Sequence, residues 1–442
     1  MTVLFDESFN GTVGQNLTTN PAYAKHAMFG TGNLIYRSGG GIEHSGDTAV
    51  YYRSDVTVTN FEQEITAVLT GAHTQANGYL GLFSRTNTTD DRWIASLVQG
   101  YFGVPILSAL FSTEALGSDS GGYLFNDMQN ESLPAGTYRF KMSSNNYLHR
   151  LFVNGQEYIR CRDNPVDGLL TGRAGIGLGG AWTTGAGGYI TRHWAATGFG
   201  VNQLQIAGDS LSQGDWYNDS SVLATIGRNN VWGAQVFQRL QAAGYTGDFG
   251  NCAVSGRRLT EELADYNTLK ATTAIPPGIN KIGTNYGWGI GQCRRPNAAK
   301  DVVCVMLGTN DAANGRTAAQ IKADLDTYVA ALKGLGFTVV LGTMIYCDEA
   351  SAYIPAGFNA VVDNVNAHIL AGNPGQDHTV DHSQDERVMD WSTDHRSIDG
   401  IHWRPATHAF VADLWEPKIK LAMGMAGRRK PIGLGFGSFL GA

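Results

Sequence analysis

Val302-Val303-Cys304-Val305-Met306-Leu307 is an unbroken apolar run, and Phe337-Thr338-Val339-Val340-Leu341 repeats the pattern further along. Runs without alternation suit parallel strands covered on both faces. Between them Thr317 and Gln320 form a capping-box pair, and Ile321, Leu325, Tyr328, Val329 and Leu332 share one helical face. Gly334 stands where a C-cap belongs. Strand, helix and strand in this order predict a β-α-β unit. Another helix is expected from Pro405, whose ring suits a first turn, with Phe410, Val411, Leu414 and Trp415 on one face. Upstream, Ala271 to Pro296, with Pro276-Pro277-Gly278 and Tyr286-Gly287-Trp288-Gly289, reads as a loop-like insertion that overhangs a site.

The grammar changes before Val201. Residues 1–200 read as short strands separated by turns. In Phe61-Glu62-Gln63-Glu64-Ile65-Thr66-Ala67-Val68-Leu69 apolar residues alternate with polar ones, the period of a strand with one dry face. Asn154-Gly155, between Leu151-Phe152-Val153 and Glu157-Tyr158-Ile159, supplies the positive φ angles of a type I′ hairpin. Gly136 to Met142 and Gly175 to Gly179 extend the pattern with no helix-period segment between, so an antiparallel β-sandwich is expected. Two domains, 1–200 and 201–423, with a glycine-rich tail 424–442 carrying Arg428-Arg429-Lys430, are the natural division of 442 residues.

Composition narrows the function. With 32 basic and 39 acidic residues the formal charge is -7, against a nucleic-acid binder that needs a concentrated basic field. The 57 glycines and 16% charged residues point to a turn-rich architecture of secreted or virion type. Five scattered cysteines, Cys161, Cys252, Cys293, Cys304 and Cys347, show no C-x-x-C spacing, so buried free thiols are expected rather than a disulfide framework or a zinc site. Met1 to Glu7 lacks the basic region and apolar core of a signal peptide, and no run reaches the ~18 apolar residues that insertion in a bilayer needs. An extracellular or virion setting is expected, reached by a route such as lysis, with the tail as a docking peptide for a virion partner or a second copy.

Ile206-Ala207-Gly208-Asp209-Ser210-Leu211-Ser212 places a serine where a first strand ends, the edge at which open α/β sheets bind ligands. A serine becomes a nucleophile when a base takes its proton. Asp399-Gly400-Ile401-His402 offers an imidazole with a carboxylate three residues before it, close enough in a turn to orient the ring and stabilise the imidazolium. An oxyanion also needs donors. Asn310, in Gly308-Thr309-Asn310-Asp311 at the end of the Val302 strand, the Ser210 N–H and the Gly256 N–H supply three, with Gly250 an alternative to Gly256.

These blocks resemble the SGNH (GDSL-type) hydrolases: G-D-S-L at Gly208 to Leu211, a glycine at Gly256, G-T-N-D at Gly308 to Asp311, and D-G-I-H at Asp399 to His402. The resemblance spans roughly Val201 to Met423 and implies a flavodoxin-like three-layer α/β/α domain. It assigns Ser210 as nucleophile, His402 as base, Asp399 as its orienter, and Ser210, Gly256 and Asn310 as the oxyanion hole. No cofactor is implied. Gly136-Thr137-Tyr138-Arg139-Phe140, the Leu151 to Gly155 hairpin and Gly172-Arg173-Ala174-Gly175-Ile176-Gly177 resemble concanavalin-like or laminin-G-like jelly rolls, which often bind sugars. Together they imply an esterase that removes O-acetyl or other small acyl groups from a carbohydrate such as a bacterial surface polysaccharide, for instance as a phage tail protein. The alternatives are a glycan-binding virion protein whose hydrolase fold has decayed, and a secreted bacterial carbohydrate esterase.

Two rival features stay open. His378 and His382 have i,i+4 metal-ligand spacing, and Asp377, Asp381, Asp390, Asp394 and His395 surround them, yet the segment follows Gly372-Asn373-Pro374-Gly375 and reads as a solvated loop without metal. Trp216 and Tyr217 offer either a platform for a sugar ring or ordinary buried packing.

Overall fold

A computed structural model describes residues 2–26, 31–46, 49–70, 79–86, 93–101, 104–112, 123–129, 133–145, 148–162, 171–179, 188–197, 202–217, 223–225, 227–264, 301–392, 394–397 and 399–425. The 271–296 insertion with Cys293, the side chains of Cys161, Trp216 and Tyr217, and the tail beyond Met425 lie outside the described residues. The chain is multidomain. One compact unit holds residues 1–204, 245–254 and 261–297, the other 205–244, 255–260 and 298–442.

The first unit is strand-rich. One antiparallel series runs Gln156–Arg162, Leu148–Val153, Gly136–Asn145, Phe61–Leu69 and Tyr189–Thr197, then Ile42–Ser45 and Asn33–Tyr36. A second runs Tyr123–Gln129, Val104–Ser112, Trp93–Tyr101, Tyr79–Thr86, Arg173–Gly179, Ala49–Arg53 and Tyr23–Lys25. Ile65, Phe140, Met142 and Leu151 from the first share one apolar core with Tyr51, Leu80, Leu82 and Ile176 from the second. Asn154 and Gly155 adopt φ +51° and +83°, as the hairpin required.

The Phe61–Leu69 strand departs from expectation. Its polar alternates are not wet: Glu62 is 0% and Glu64 6% exposed. Each faces a cation of the neighbouring strand, Arg139 Nη2 at 2.7 Å from Glu64 and Lys141 Nζ at 3.7 Å from Glu62. Lys141 also pairs with Asp248, and Arg150 with Glu157, on side chains that are all nearly buried. Alternation reports the chemistry of a face. Whether that face meets water depends on what covers it, and here buried charges are tolerated because they are paired.

The second unit has the α/β grammar. Val302–Met306 pairs in parallel with Thr338–Gly342, and that strand in parallel with His378–Val380, while Gln203–Gly208 lies on the other side of Val302–Met306. Between the first two runs the helix Ala318–Gly334, which buries all five predicted residues and opens with the reciprocal Thr317–Gln320 capping box. Its end differs. Gly334 is still helical, and the left-handed position is Gly336 at φ +95°. There the Phe337 N–H donates to the Leu332 carbonyl and the Gly336 N–H to that of Lys333, a Schellman closure.

The last helix is Thr407–Ala422, so Pro405 precedes it rather than filling its first turn. It buries Thr407, His408, Val411, Ala412, Trp415 and Ile419, leaving Phe410 and Leu414 only half-buried. The expected loop around His378 is instead a sheet strand, and His382 is fully buried. Its Nδ1 donates to the Thr343 carbonyl at 2.6 Å and its Nε2 accepts from Trp415 Nε1 at 3.0 Å, which occupies both ring nitrogens. Cys252, Cys304 and Cys347 are buried free thiols. Among the described residues no helix is long and apolar enough to cross a membrane.

Candidate active site

The strand Gln203–Gly208 runs directly into Asp209 and the four-residue helix Ser210–Gln213. Gly208 cannot carry a side chain, because a Cβ would lie 2.4 Å from Ser212 Oγ and 3.3 Å from the Met306 carbonyl oxygen. The tight turn leaves Ser210 at the first helical position, with Asp209 as N-cap accepting from the Leu211 N–H at 3.1 Å.

Downstream, a bridge between Arg396 and Trp403 closes the segment that carries the aspartate and histidine. Asp399 Oδ1 accepts from the N–H groups of Ile401 and His402 at 3.0 and 3.1 Å and from Ser397 Oγ at 2.6 Å. Its Oδ2 is then left for His402 Nδ1, at 2.6 Å. The other ring nitrogen, Nε2, lies 2.8 Å from Ser210 Oγ. A carboxylate only accepts, so Nδ1 carries the proton and Nε2 accepts from the Ser210 hydroxyl. Burial tends to raise the Asp399 carboxyl, but the hydrogen bond and charge of His402, with the Ser397 and Ile401 bonds, hold it at about 2. It stays ionised at any working pH.

Asn310 sits in the short helix Thr309–Ala313, which follows the Val302–Met306 strand and Gly308. Its Nδ2 donates to Asp209 Oδ2 at 3.3 Å and to the Arg257 carbonyl at 3.1 Å. The amide is therefore already engaged, tying the residue before Ser210 to the residue after Gly256. Gly256 turns at φ +74°, a conformation that favours glycine, and no atom lies within 4 Å of where its Cβ would stand. The alternative, Gly250, lies inside the strand Asp248–Asn251. Among the described residues neither the Ser210 nor the Gly256 N–H donates to another group.

The structure thus brings Ser210, Asp399, His402, Asn310 and Gly256 into one site. A hydroxyl on a neutral imidazole held by a carboxylate, beside unengaged backbone donors, can perform acyl transfer. Sequence reasoning missed three supports: Ser397, which binds Asp399; Asp311, whose Oδ2 accepts the Leu259 N–H at 2.8 Å; and Arg396, buried behind the turn. Asp311 stood inside the quoted G-T-N-D block; the other two carry no sequence signal. The His/Asp cluster stays apart from this chemistry, and among the described residues no group of three or more His, Cys, Asp or Glu is arranged to hold a metal.

Residues 206–410 match the model of the GDSL-like Lipase/Acylhydrolase family, so the carboxy-terminal part of the chain carries a GDSL/SGNH lipase-acylhydrolase domain. No curated protein matches the chain. Solved structures that align with it include a lipase/acylhydrolase from Enterococcus faecalis, at 19% identity over 50% of this chain and 95% of that one, TM-score 0.37. A carbohydrate acetylesterase from Sinorhizobium meliloti aligns at 15% identity over 50% of this chain and 99% of its own, TM-score 0.35. A carbohydrate binding module from Bacillus subtilis aligns at 10% identity over 39% of this chain and 94% of its own, TM-score 0.28.

Proposed function

We propose that the chain is a serine esterase that releases small acyl groups, O-acetyl foremost, from a carbohydrate. The observation that carries the chemistry is the unbroken line from Asp399 Oδ2 through the His402 ring to Ser210 Oγ, at 2.6 and 2.8 Å. Ser210 Oγ attacks the acyl carbon while His402 Nε2 takes its proton, and Asp399 stabilises the imidazolium. The carbonyl oxygen becomes an oxyanion facing the Ser210 and Gly256 N–H groups and the Asn310 amide, which exchanges its long bond to Asp209 for the new charge. Collapse expels the sugar alkoxide, protonated by His402. Water then repeats the sequence on the acyl-enzyme and frees the carboxylate. No metal or cofactor enters these steps.

The carbohydrate extends the family resemblance and the strand-rich first unit, which we read as a lectin-like jelly roll that binds glycan. The glycine-dense composition supports an extracellular or virion setting, with bacterial surface polysaccharide as substrate. The first test is hydrolysis of p-nitrophenyl acetate by wild type, Ser210→Ala and His402→Ala. Loss of roughly three orders of magnitude in kcat in both variants is expected. A wild type no faster than its variants, and inert to a fluorophosphonate, sinks the esterase reading and makes glycan binding the leading function.

A further inference from the structure

Arg396 is fully buried, yet among the described residues no carboxylate forms an ion pair with it. Its guanidinium instead donates to four backbone carbonyls. Nε binds that of Asp390 at 3.1 Å, Nη1 that of Ile401 at 2.9 Å, and Nη2 those of Val388 at 2.6 Å and Tyr346 at 3.4 Å. Three of those oxygens lie within eight residues of Arg396, in the helix Glu386–Met389 with its end and in the Asp399–His402 turn, and the fourth belongs to the distant segment after the Thr338–Gly342 strand. Burial pulls the group's pKa down to about 10, the mark of a cation held by dipoles against desolvation.

A buried cation with no carboxylate paired to it is destabilising unless its hydrogen bonds do something an apolar side chain cannot. Here they grip the peptide that leads into the histidine. The Ile401 carbonyl belongs to the peptide group whose nitrogen is that of His402. On the far side, the Ser397 N–H donates to the His402 carbonyl at 2.8 Å. The main chain of His402 is thus held before and after the ring by neighbouring residues, Arg396 through its side chain and Ser397 through its backbone. Gly400, at φ +69°, lets the turn press so close to Asp348 that a Cβ would lie 2.6 Å from the Asp348 Cβ.

We propose that Arg396 is a positioning residue: its guanidinium ties the His402 turn to two neighbouring segments and so sets the imidazole at bonding distance from Ser210. The kinetic part rests on the serine-esterase reading above. Arg396→Met and Arg396→Lys are compared with wild type for kcat and KM on p-nitrophenyl acetate, with active sites counted by fluorophosphonate labelling and the low-field His402 Nδ1–H resonance followed by NMR. Misplacing a reacting group by about 1 Å costs on the order of 100-fold, so kcat per active site is expected to fall about that much in Arg396→Met with KM nearly unchanged. Arg396→Lys keeps a donor and recovers part of the loss. The Nδ1–H resonance shifts or broadens in both variants, while Ser210→Ala leaves it in place.

A role in packing alone would lower the melting temperature and the count of active sites but leave kcat per site and the resonance as in wild type. That result overturns the proposal. If Arg396→Met fails to fold, Arg396→Lys decides on the same two readouts. Should the wild type prove inert to esters while Arg396→Lys still displaces the resonance, the esterase reading falls and the positioning role stands.

Discussion

Asp209 links the two blocks that carry Ser210 and Asn310. It caps the Ser210 helix through Oδ1 and receives the Asn310 amide on Oδ2, while burial pushes its carboxyl up to about 7 from an ordinary 3.8. Between those values the unfolded chain gives up a proton that the folded chain keeps, so stability falls as pH rises through the window and levels above about 7. Asp209→Asn removes the charge but also one of two acceptors, a loss of about 1 kcal/mol. The variant is therefore expected to be more stable than wild type at pH 8, by roughly 3 kcal/mol after that loss is subtracted, and slightly less stable at pH 3.5. Urea unfolding at the two pH values reads the crossover. An equal difference at both would mean that Asp209 is not held neutral. The residues of the site were legible in the sequence because each block is short and its chemistry is local: Asp399 and His402 need only one turn to meet. That Asn310 spends its amide on Asp209 and Arg257 was not legible, since both partners reach it through the folded sheet.

At the scale of elements, the loop 255–260 hangs on the helix Thr309–Ala313 by two bonds, Asn310 Nδ2 to the Arg257 carbonyl and the Leu259 N–H to Asp311 Oδ2. Asp311 is fully buried, and burial raises its carboxyl. Asp311→Ala is expected to destabilise the protein by about 1 to 3 kcal/mol and to speed hydrogen exchange at the Leu259 amide. Because the Gly256 N–H rides on this loop, kcat should fall by roughly tenfold or more, while Ser210 still reacts with a fluorophosphonate. Unchanged exchange at Leu259 would show that the loop is held by other means. The elements themselves divide the same way. The Thr317–Gln320 capping box and the Asn154-Gly155 hairpin were readable because the signal and the structure occupy the same few residues. Gly334 looked like the helix stop only because nothing local distinguishes it from Gly336, and the choice went to the glycine that lets Phe337 close the Schellman bond and bury its ring. Glu62 and Glu64 looked exposed because their partners Lys141 and Arg139 stand far off in the chain.

For the molecule as a whole, the buried histidines set the response to acid. His193 in the first unit, and His382 and His408 in the second, are fully buried, and burial holds them neutral, at about 3, 4 and 3 respectively. Below an ordinary 6.5 the unfolded chain takes up protons that the folded one refuses, so stability is lost as pH falls from 6.5 toward those values. Asp399, held at about 2, adds to the loss only below 3.8, and Asp209 opposes it between 3.8 and 7. In the second unit the two histidines together outweigh the two raised carboxyls, Asp209 and Asp311, and leave a net loss on acidification, while the first unit carries its own through His193. Calorimetry should therefore show melting temperatures falling from pH 7 to pH 4.5. His382→Gln isolates one contribution, because an amide can still donate to the Thr343 carbonyl and accept from Trp415 while carrying no titratable group. The variant starts less stable at pH 7, and its deficit is expected to shrink by about 2 to 3 kcal/mol by pH 4.5. A deficit that stays constant over that range would mean that His382 takes up its proton without unfolding, and that acid acts on the molecule elsewhere.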